Sequence, residues 1–183
     1  DVAGLEATPW LGGDGDDRLI NNGVFVGNFD MGQGINYVFN SNTGFLNAGL
    51  VMDLGNGYST LHNEGSFVLG ELLIPERGTL TGNLLLGSEG TWFSAVDFAD
   101  NDLDLISALG YASLDGILDV TVTNAQLILP GVHQLPFVYA FDVDMQGLEL
   151  NMLPSLLMDY SFVVDDVSEY ASASLQYDLD FRA

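Results

Sequence analysis

The sequence predicts an all-β protein, folded as an antiparallel β-sandwich of jelly-roll-like form. Apolar and polar residues alternate with a period of two in one segment after another, and glycine is frequent, at 22 of 183 residues. A helical spacing of apolar residues occurs at one place only. Each alternating segment has an apolar face and an acidic or hydroxylated face, which is typical of antiparallel sheets packed on one side.

The alternation is clearest in six segments, which we predict to be strands. They are residues 35–40, 79–86, 92–98, 114–123, 137–146 and 174–181. In the last segment Leu175, Tyr177, Leu179 and Phe181 share one face, as expected of a strand that covers a core. About ten to twelve strands at this spacing indicate a sandwich.

The turns and the one helical candidate complete the fold prediction. The dipeptides Asn22–Gly23 and Asn56–Gly57 are typical of tight hairpins. Residues 102–111 are expected to form one or two helical turns, with Asp100 or Asp102 as the N-cap. We expect a Gly- and Asp-rich arm over residues 1–20 and a single β-sandwich domain over residues 21–183.

The charge balance and the residue types that are missing exclude several functions. Asp and Glu number 26 against three arginines and no lysine, so the net charge is −23. We therefore predict no nucleic-acid partner and no binding to anionic membranes, because both need clustered cations. The absence of lysine and cysteine removes Schiff-base chemistry, disulfides and thiolate metal sites. His62 and His133 belong to no catalytic or zinc motif, so we predict that the protein is not an enzyme and has no catalytic residues.

The first candidate metal site lies near the start of the chain. Residues 12–20 match the nonapeptide G-G-x-G-x-D-x-U-x, where U is a large apolar residue, which is the calcium-binding repeat of RTX β-rolls. The match occurs once, so it does not indicate a stacked roll. The three carboxylates of Asp14, Asp16 and Asp17 still suit a hard cation such as Ca²⁺. A solvated acidic loop is the alternative.

The second candidate metal site comprises Asp100, Asn101, Asp102 and Asp104. Its three aspartates have the first three spacings of an EF-hand loop, but the glycine and the final glutamate of that loop are missing. We therefore predict an irregular calcium site, with a negatively charged helix N-terminus as the alternative. Calcium could neutralise much of the net charge, and a salty medium would screen it instead.

These observations lead to one main functional hypothesis. We expect a secreted structural subunit, extracellular or at the cell surface, that self-assembles into a filament, sheath or matrix with calcium as a stabilising ion. A start at Asp1 rather than at Met is expected after removal of a signal peptide. The partner is then another copy of the chain.

Two alternatives remain open. The first is a calcium-dependent carbohydrate-binding or adhesive module, in which Trp10 and the tyrosines stack on a polysaccharide partner. Trp92 is assigned to the core, because Val96 and Phe98 share its face. The second is a small outer-membrane β-barrel, which fits the length of the chain and its alternation up to Phe181.

Overall fold

The structure is a computed structural model that describes residues 10–125, 128, 130–145, 147–153, 158–167 and 169–179. The prediction of an all-β protein is confirmed, since 61% of the chain is strand. The described residues contain no helix. Consequently they include no helical segment that is long and apolar enough to cross a membrane.

The chain winds as a β-solenoid in which each level gives one short strand to each of three faces, called A, B and C. The first three levels comprise β1 (Trp10–Leu11), β2 (Arg18–Asn21), β3 (Val24–Val26), β4 (Phe29–Asp30), β5 (Tyr37–Asn40), β6 (Phe45–Asn47), β7 (Val51–Asp53), β8 (Thr60–Asn63) and β9 (Ser66–Val68). Within each level the strands belong to faces A, B and C in that order. β1 and the first three residues of β2 lie within the predicted N-terminal arm.

Three further levels and a C-terminal hairpin complete the described part of the chain. They comprise β10 (Arg77–Leu80), β11 (Asn83–Leu86), β12 (Thr91–Asp97), β13 (Asp102–Leu103), β14 (Leu105–Ala108), β15 (Ala112–Leu114), β16 (Ile117–Asn124), β17 (Gly131–Ala140), β18 (Val143–Asp144), β19 (Glu149–Met152), β20 (Met158–Val167) and β21 (Tyr170–Leu179). β13 pairs with β12, and the hairpin β20–β21 extends face A beyond β17.

The predicted antiparallel sandwich is wrong, because the three faces are mostly parallel sheets. Successive levels pair in parallel register, as in Leu19 with Val38 and Val38 with Leu61. Antiparallel pairing between described strands is confined to β12–β13, β17–β21 and β20–β21. Alternation at a period of two reports which face of a strand is buried, and it does not report the direction of the neighbouring strand.

The helix predicted over residues 102–111 is also wrong. Asp102–Leu103 is β13 and Leu105–Ala108 is β14, so the segment is extended on both sides of a corner. Leu103 and Ile106 are buried, whereas Leu109 is exposed. The corner shifts the alternation by one residue, and that shift produces the apparent helical spacing.

The core is built from columns of side chains that stack from level to level. On face B the inward column is Leu19, Val38, Leu61, Leu84, Ala112 and Val143. On face C, Trp92 stands in such a column, and its ring contacts Phe67 at 5.6 Å and Phe137 at 6.0 Å between ring centroids. The prediction that Trp92 is a core residue is confirmed. Each large side chain buried in this way contributes roughly 1.5–3 kcal/mol of transfer free energy.

An asparagine ladder joins faces B and C at their common corner. The Asn21 amide donates to Asn40 Oδ1 at 2.8 Å, and the Asn40 amide donates to Asn63 Oδ1 at 2.6 Å. Asn40 also donates to the carbonyl oxygen of Ser66 at 3.0 Å. Asn40 and Asn63 are fully buried, so the ladder satisfies polar groups that would otherwise be costly in the core.

Glycines stack at the corner between faces A and B. Gly34 and Gly55 have φ angles of 98° and 90°. A Cβ atom on Gly34 would lie 2.4 Å from the carbonyl oxygen of Gly15, and one on Gly55 would lie 2.4 Å from that of Gly32. Both the backbone conformation and the close approach therefore require glycine, and this corner brings the first Asp cluster against the second level.

Candidate functional site

The first predicted metal cluster lies in the corner between β1 and β2, and two of its carboxylates bind backbone amides. The N–H of Ile35 donates to Asp16 Oδ1 at 2.7 Å, and the N–H of Gly13 donates to Asp17 Oδ2 at 2.9 Å. Asp14 is exposed at the tip of the same corner. The pair Asp16 and Asp17 therefore holds the corner in shape and links it to the second level.

The second predicted metal cluster is divided among different partners. Asp102 forms an ion pair with Arg77 at 2.6 Å, and Asn101 Oδ1 accepts a hydrogen bond from the Tyr177 hydroxyl at 3.0 Å. Asp100 is exposed in the turn after β12. Asp102 and Asn101 each engage a different strand of face A, so the cluster diverges instead of enclosing one point.

Asp104 is the buried member of this cluster, with 1% of its surface exposed. Its two carboxyl oxygens accept the N–H groups of Glu76 at 2.7 Å and Ala95 at 3.1 Å, so it connects β12 to the start of β10. Burial raises the pKa of Asp104 to about 7, against the lowering effect of the two amide donors. The carboxyl group is thus a structural connector.

Among the described residues, no three His, Cys, Asp or Glu side chains converge as a metal-binding group. Asp14, Asp16 and Asp17 nevertheless share one corner. A cation bound at this corner would be coordinated by carboxylates, two of which already accept hydrogen bonds from backbone amides. Calcium binding at this corner stays a prediction.

A hydrogen-bonded network on the outer side of face B contains His62. The Tyr37 hydroxyl and His62 Nδ1 are 2.9 Å apart, and His62 Nε2 lies 2.8 Å from Glu64 Oε1. The Arg18 guanidinium lies 5.4 Å from the centroid of the Tyr37 ring. Burial raises the pKa of Tyr37, and Arg18 opposes that rise while Glu64 adds to it.

This network links two levels of the solenoid and fixes the histidine ring. In the neutral imidazole, Nε2–H donates a hydrogen bond to Glu64, and Nδ1 accepts one from the Tyr37 hydroxyl. The ring also packs edge-on against Phe39, with 5.2 Å between the ring centroids. The arrangement stabilises the pairing of β5 with β8.

A groove lies on the outer side of face A. It has a volume of about 500 Å³ and is lined by Ser107, Ala108, Leu109, Tyr139, Tyr170 and Ser172. Cavities of this size are typical of small-molecule sites. We call it the tyrosine groove.

The strand register explains how the tyrosine groove forms. Ser107 on β14 is the partner of Tyr139 on β17, and Tyr139 is the partner of Ser172 on β21. Tyr170 precedes Ser172 by two residues on the same strand, so both side chains are on the outer face. The serines are small, and they leave open space beside the two tyrosine rings.

Further apolar surface is exposed at one end of the solenoid and in one loop. Trp10 in the first level is 47% exposed although it stands above buried Phe29 in the inward column of face A. In the described chain, β1, β2 and β3 each have a strand partner on one side only. We call this the open end. Between β9 and β10, Leu72, Leu73 and Ile74 are three consecutive exposed residues.

No protein-family model matches the chain, and no curated protein is significantly similar to it.

The tyrosine groove and the asparagine ladder were not predicted from the sequence. Asn21, Asn40 and Asn63 are separated by 19 and 23 residues, and each is followed by a glycine within four residues. This regular spacing indicates an internal repeat and could have been found in the sequence. The groove had no such signal, because its residues come from three segments that the sequence separates widely.

Proposed function

We propose that the chain is a secreted structural subunit that assembles with copies of itself through the open end of its solenoid. The carrying observation is the combination of exposed Trp10 with strand edges on β1, β2 and β3 that lack a described partner. A free strand edge with apolar side chains readily pairs with another chain. A second copy is a suitable partner because its own first level presents the same kind of edge.

The C-terminal end of the solenoid bears on how many contacts a larger assembly needs. On face A the hairpin β20–β21 covers the last parallel strand, β17, whereas β18 and β19 are the edge strands of faces B and C at this end. Contact between two open ends alone would close at a pair of subunits. A filament, sheath or matrix needs a second contact, and the exposed loop residues Leu72, Leu73 and Ile74 are the surface that we assign to it.

The net charge of −23 opposes such contacts unless cations neutralise it. Millimolar calcium or high salt supplies the required cations, and both are conditions outside the cytosol. We therefore propose an extracellular or cell-surface location and assembly that depends on cations. Calcium would act both at the first level, near Asp14, and by general screening.

The test compares two lysine variants with the unaltered chain. Trp10→Lys places a charge at the open end, whereas Val51→Lys places one on an outer position of the third level that is also half exposed, at 50%. In millimolar calcium, sedimentation velocity and electron microscopy should show extended assemblies for the unaltered chain and for Val51→Lys, and nothing larger than a pair of subunits for Trp10→Lys. A chain that stays monomeric at high concentration with calcium, or a Trp10→Lys variant that assembles normally, would refute the proposal.

A further inference from the structure

The tyrosine groove has the features of a ligand site on an otherwise flat sheet. Tyr139 and Tyr170 are 39% and 55% exposed, and Ser107 and Ser172 line the groove beside them. Neither ring packs against another aromatic ring of the described chain, so both retain faces for a ligand. Leu109 closes one end with a large exposed apolar side chain.

The aromatic surface continues from the groove around the corner towards face B. The N–H of Phe141 donates to the carbonyl oxygen of Gly110 at 2.8 Å, so Phe141 lies next to the turn that contains Gly110 and Tyr111. The side chains of Phe141 and Tyr111 are both exposed. Exposed apolar side chains thus extend from the groove along one edge of the solenoid, and an elongated ligand with several rings would find contacts along that edge.

The groove offers hydroxyl groups at its floor as well as apolar ring faces. Ser107 and Ser172 flank Tyr139 in one cross-strand row, and each hydroxyl can donate one hydrogen bond and accept two. The tyrosine hydroxyls add two more groups of the same kind. A pyranose ring matches this pattern, since it has an apolar face of C–H groups for stacking and hydroxyl groups around its rim.

The charge around the groove selects against anionic ligands. No arginine or lysine lines it, and Asp165 is the strand partner of Ser172. Carboxylate and sulfate groups are usually bound by cationic side chains, so uronic or sulfated sugars would be repelled here. A neutral sugar meets no such repulsion.

We propose that the tyrosine groove binds a neutral saccharide chain. Tyr139 and Tyr170 stack on its sugar rings, and Ser107 and Ser172 form hydrogen bonds with its hydroxyl groups. Phe141 and Tyr111 contact the neighbouring sugar units. This binding site is independent of assembly through the open end, so a monomeric variant would keep it.

The experiment uses the full chain, carrying Trp10→Lys to avoid aggregation, and neutral hexasaccharides of glucose, xylose, galactose and mannose as probes. Binding is measured by calorimetry and by NMR chemical-shift changes. At least one neutral probe should bind and shift the signals of Ser107, Tyr139 and Ser172. A trigalacturonate and choline serve as anionic and cationic probes, and neither should bind to the groove.

Two alanine variants and a matched control test the assignment to the groove. Tyr139→Ala and Tyr170→Ala should each weaken binding about tenfold or more, which corresponds to about 1.4 kcal/mol. Tyr58→Ala removes a tyrosine that is 80% exposed and lies outside the groove, and it should bind as the parent does. Circular dichroism and the melting temperature verify the fold of each variant.

Three results would overturn the proposal: no binding of any neutral probe, binding that Tyr139→Ala and Tyr170→Ala leave unchanged in folded proteins, or preferential binding of choline or trigalacturonate to the groove.

Discussion

The carboxyl group of Asp104 links proton binding to folding. Its oxygens accept the N–H groups of Glu76 and Ala95, and burial raises its pKa from an ordinary value near 3.8 to about 7. The folded protein therefore keeps this proton at pH values where the unfolded chain has released it. Each unit of difference in pKa corresponds to about 1.4 kcal/mol of unfolding free energy.

Asp104 should make the protein less stable as the pH rises. Because the pKa is raised in the folded state, its stabilising contribution is complete below about pH 4 and is lost as the pH rises through about 7. Asp104→Asn cannot titrate, so the difference in unfolding free energy between the unaltered chain and this variant should shrink from pH 4 to pH 7.5. Urea unfolding at several pH values measures it.

The matched control is Asp102→Asn, which removes a partly exposed carboxylate paired with the exposed Arg77. An exposed pair of this kind contributes about 0–1 kcal/mol, so its variant should follow the pH dependence of the unaltered chain closely. Parallel pH curves for the unaltered chain and Asp104→Asn would contradict the assignment of a raised pKa to Asp104.

At the scale of single elements, the sequence correctly predicted where strands occur, but it did not predict which strands pair or that they pair in parallel. The alternation around Trp92 and around Leu175 correctly marks strands with one buried face. The parallel direction follows from the corners, where Gly34 and Gly55 allow the chain to turn and continue to the next face. The corners could be predicted in part, because a Gly-x-Gly pattern recurs at Gly13, Gly32 and Gly55. The nonapeptide template matches only once, so a search for that template alone does not detect the repeat.

The candidate site was less predictable than the fold. The tyrosine groove depends on the register that sets Ser107 beside Tyr139 and Tyr139 beside Ser172. That register joins three distant segments, and alternation within one segment carries no information about it. The acidic clusters, by contrast, were visible in the sequence, but their hydrogen bonds to corner amides depend on the stacked levels.

The hairpin β20–β21 should be essential to the stability of face A. Leu175 on β21 is fully buried, and its strand partners are Leu135 on β17 and Phe162 on β20. Leu175→Ala should lower the unfolding free energy by about 2–5 kcal/mol, because it leaves a cavity between three strands. Thermal and urea unfolding measure the loss.

Gln176→Ala is the control for this substitution, since the next residue on β21 points to the other face and is only partly buried. Its effect should stay within about 0.5 kcal/mol. A similar loss for both variants would mean that the hairpin is stabilised by its backbone pairing and not by the packing of Leu175.

At the scale of the whole molecule, parallel stacking brings like charges into adjacent levels. Asp30 and Asp53 are direct strand partners on β4 and β7, where neighbouring strands lie about 4.8 Å apart. Asp53 also accepts hydrogen bonds from Gly55 and Thr81, which fix its carboxylate in place. With a net charge of −23, such pairs lower the stability of the solenoid unless cations reduce the repulsion.

Calcium should therefore raise the melting temperature, and its effect should exceed that of sodium at the same ionic strength. A ligand that binds only the folded state stabilises it by about 2.7 kcal/mol at a hundredfold excess over its dissociation constant. Asp14→Asn should reduce the calcium effect, because Asp14 shares its corner with Asp16 and Asp17. Asp159→Asn, an exposed carboxylate on β20, is the control and should retain it. Equal stabilisation by sodium would indicate screening alone, and an unchanged melting temperature between calcium and chelator would refute specific binding at this corner.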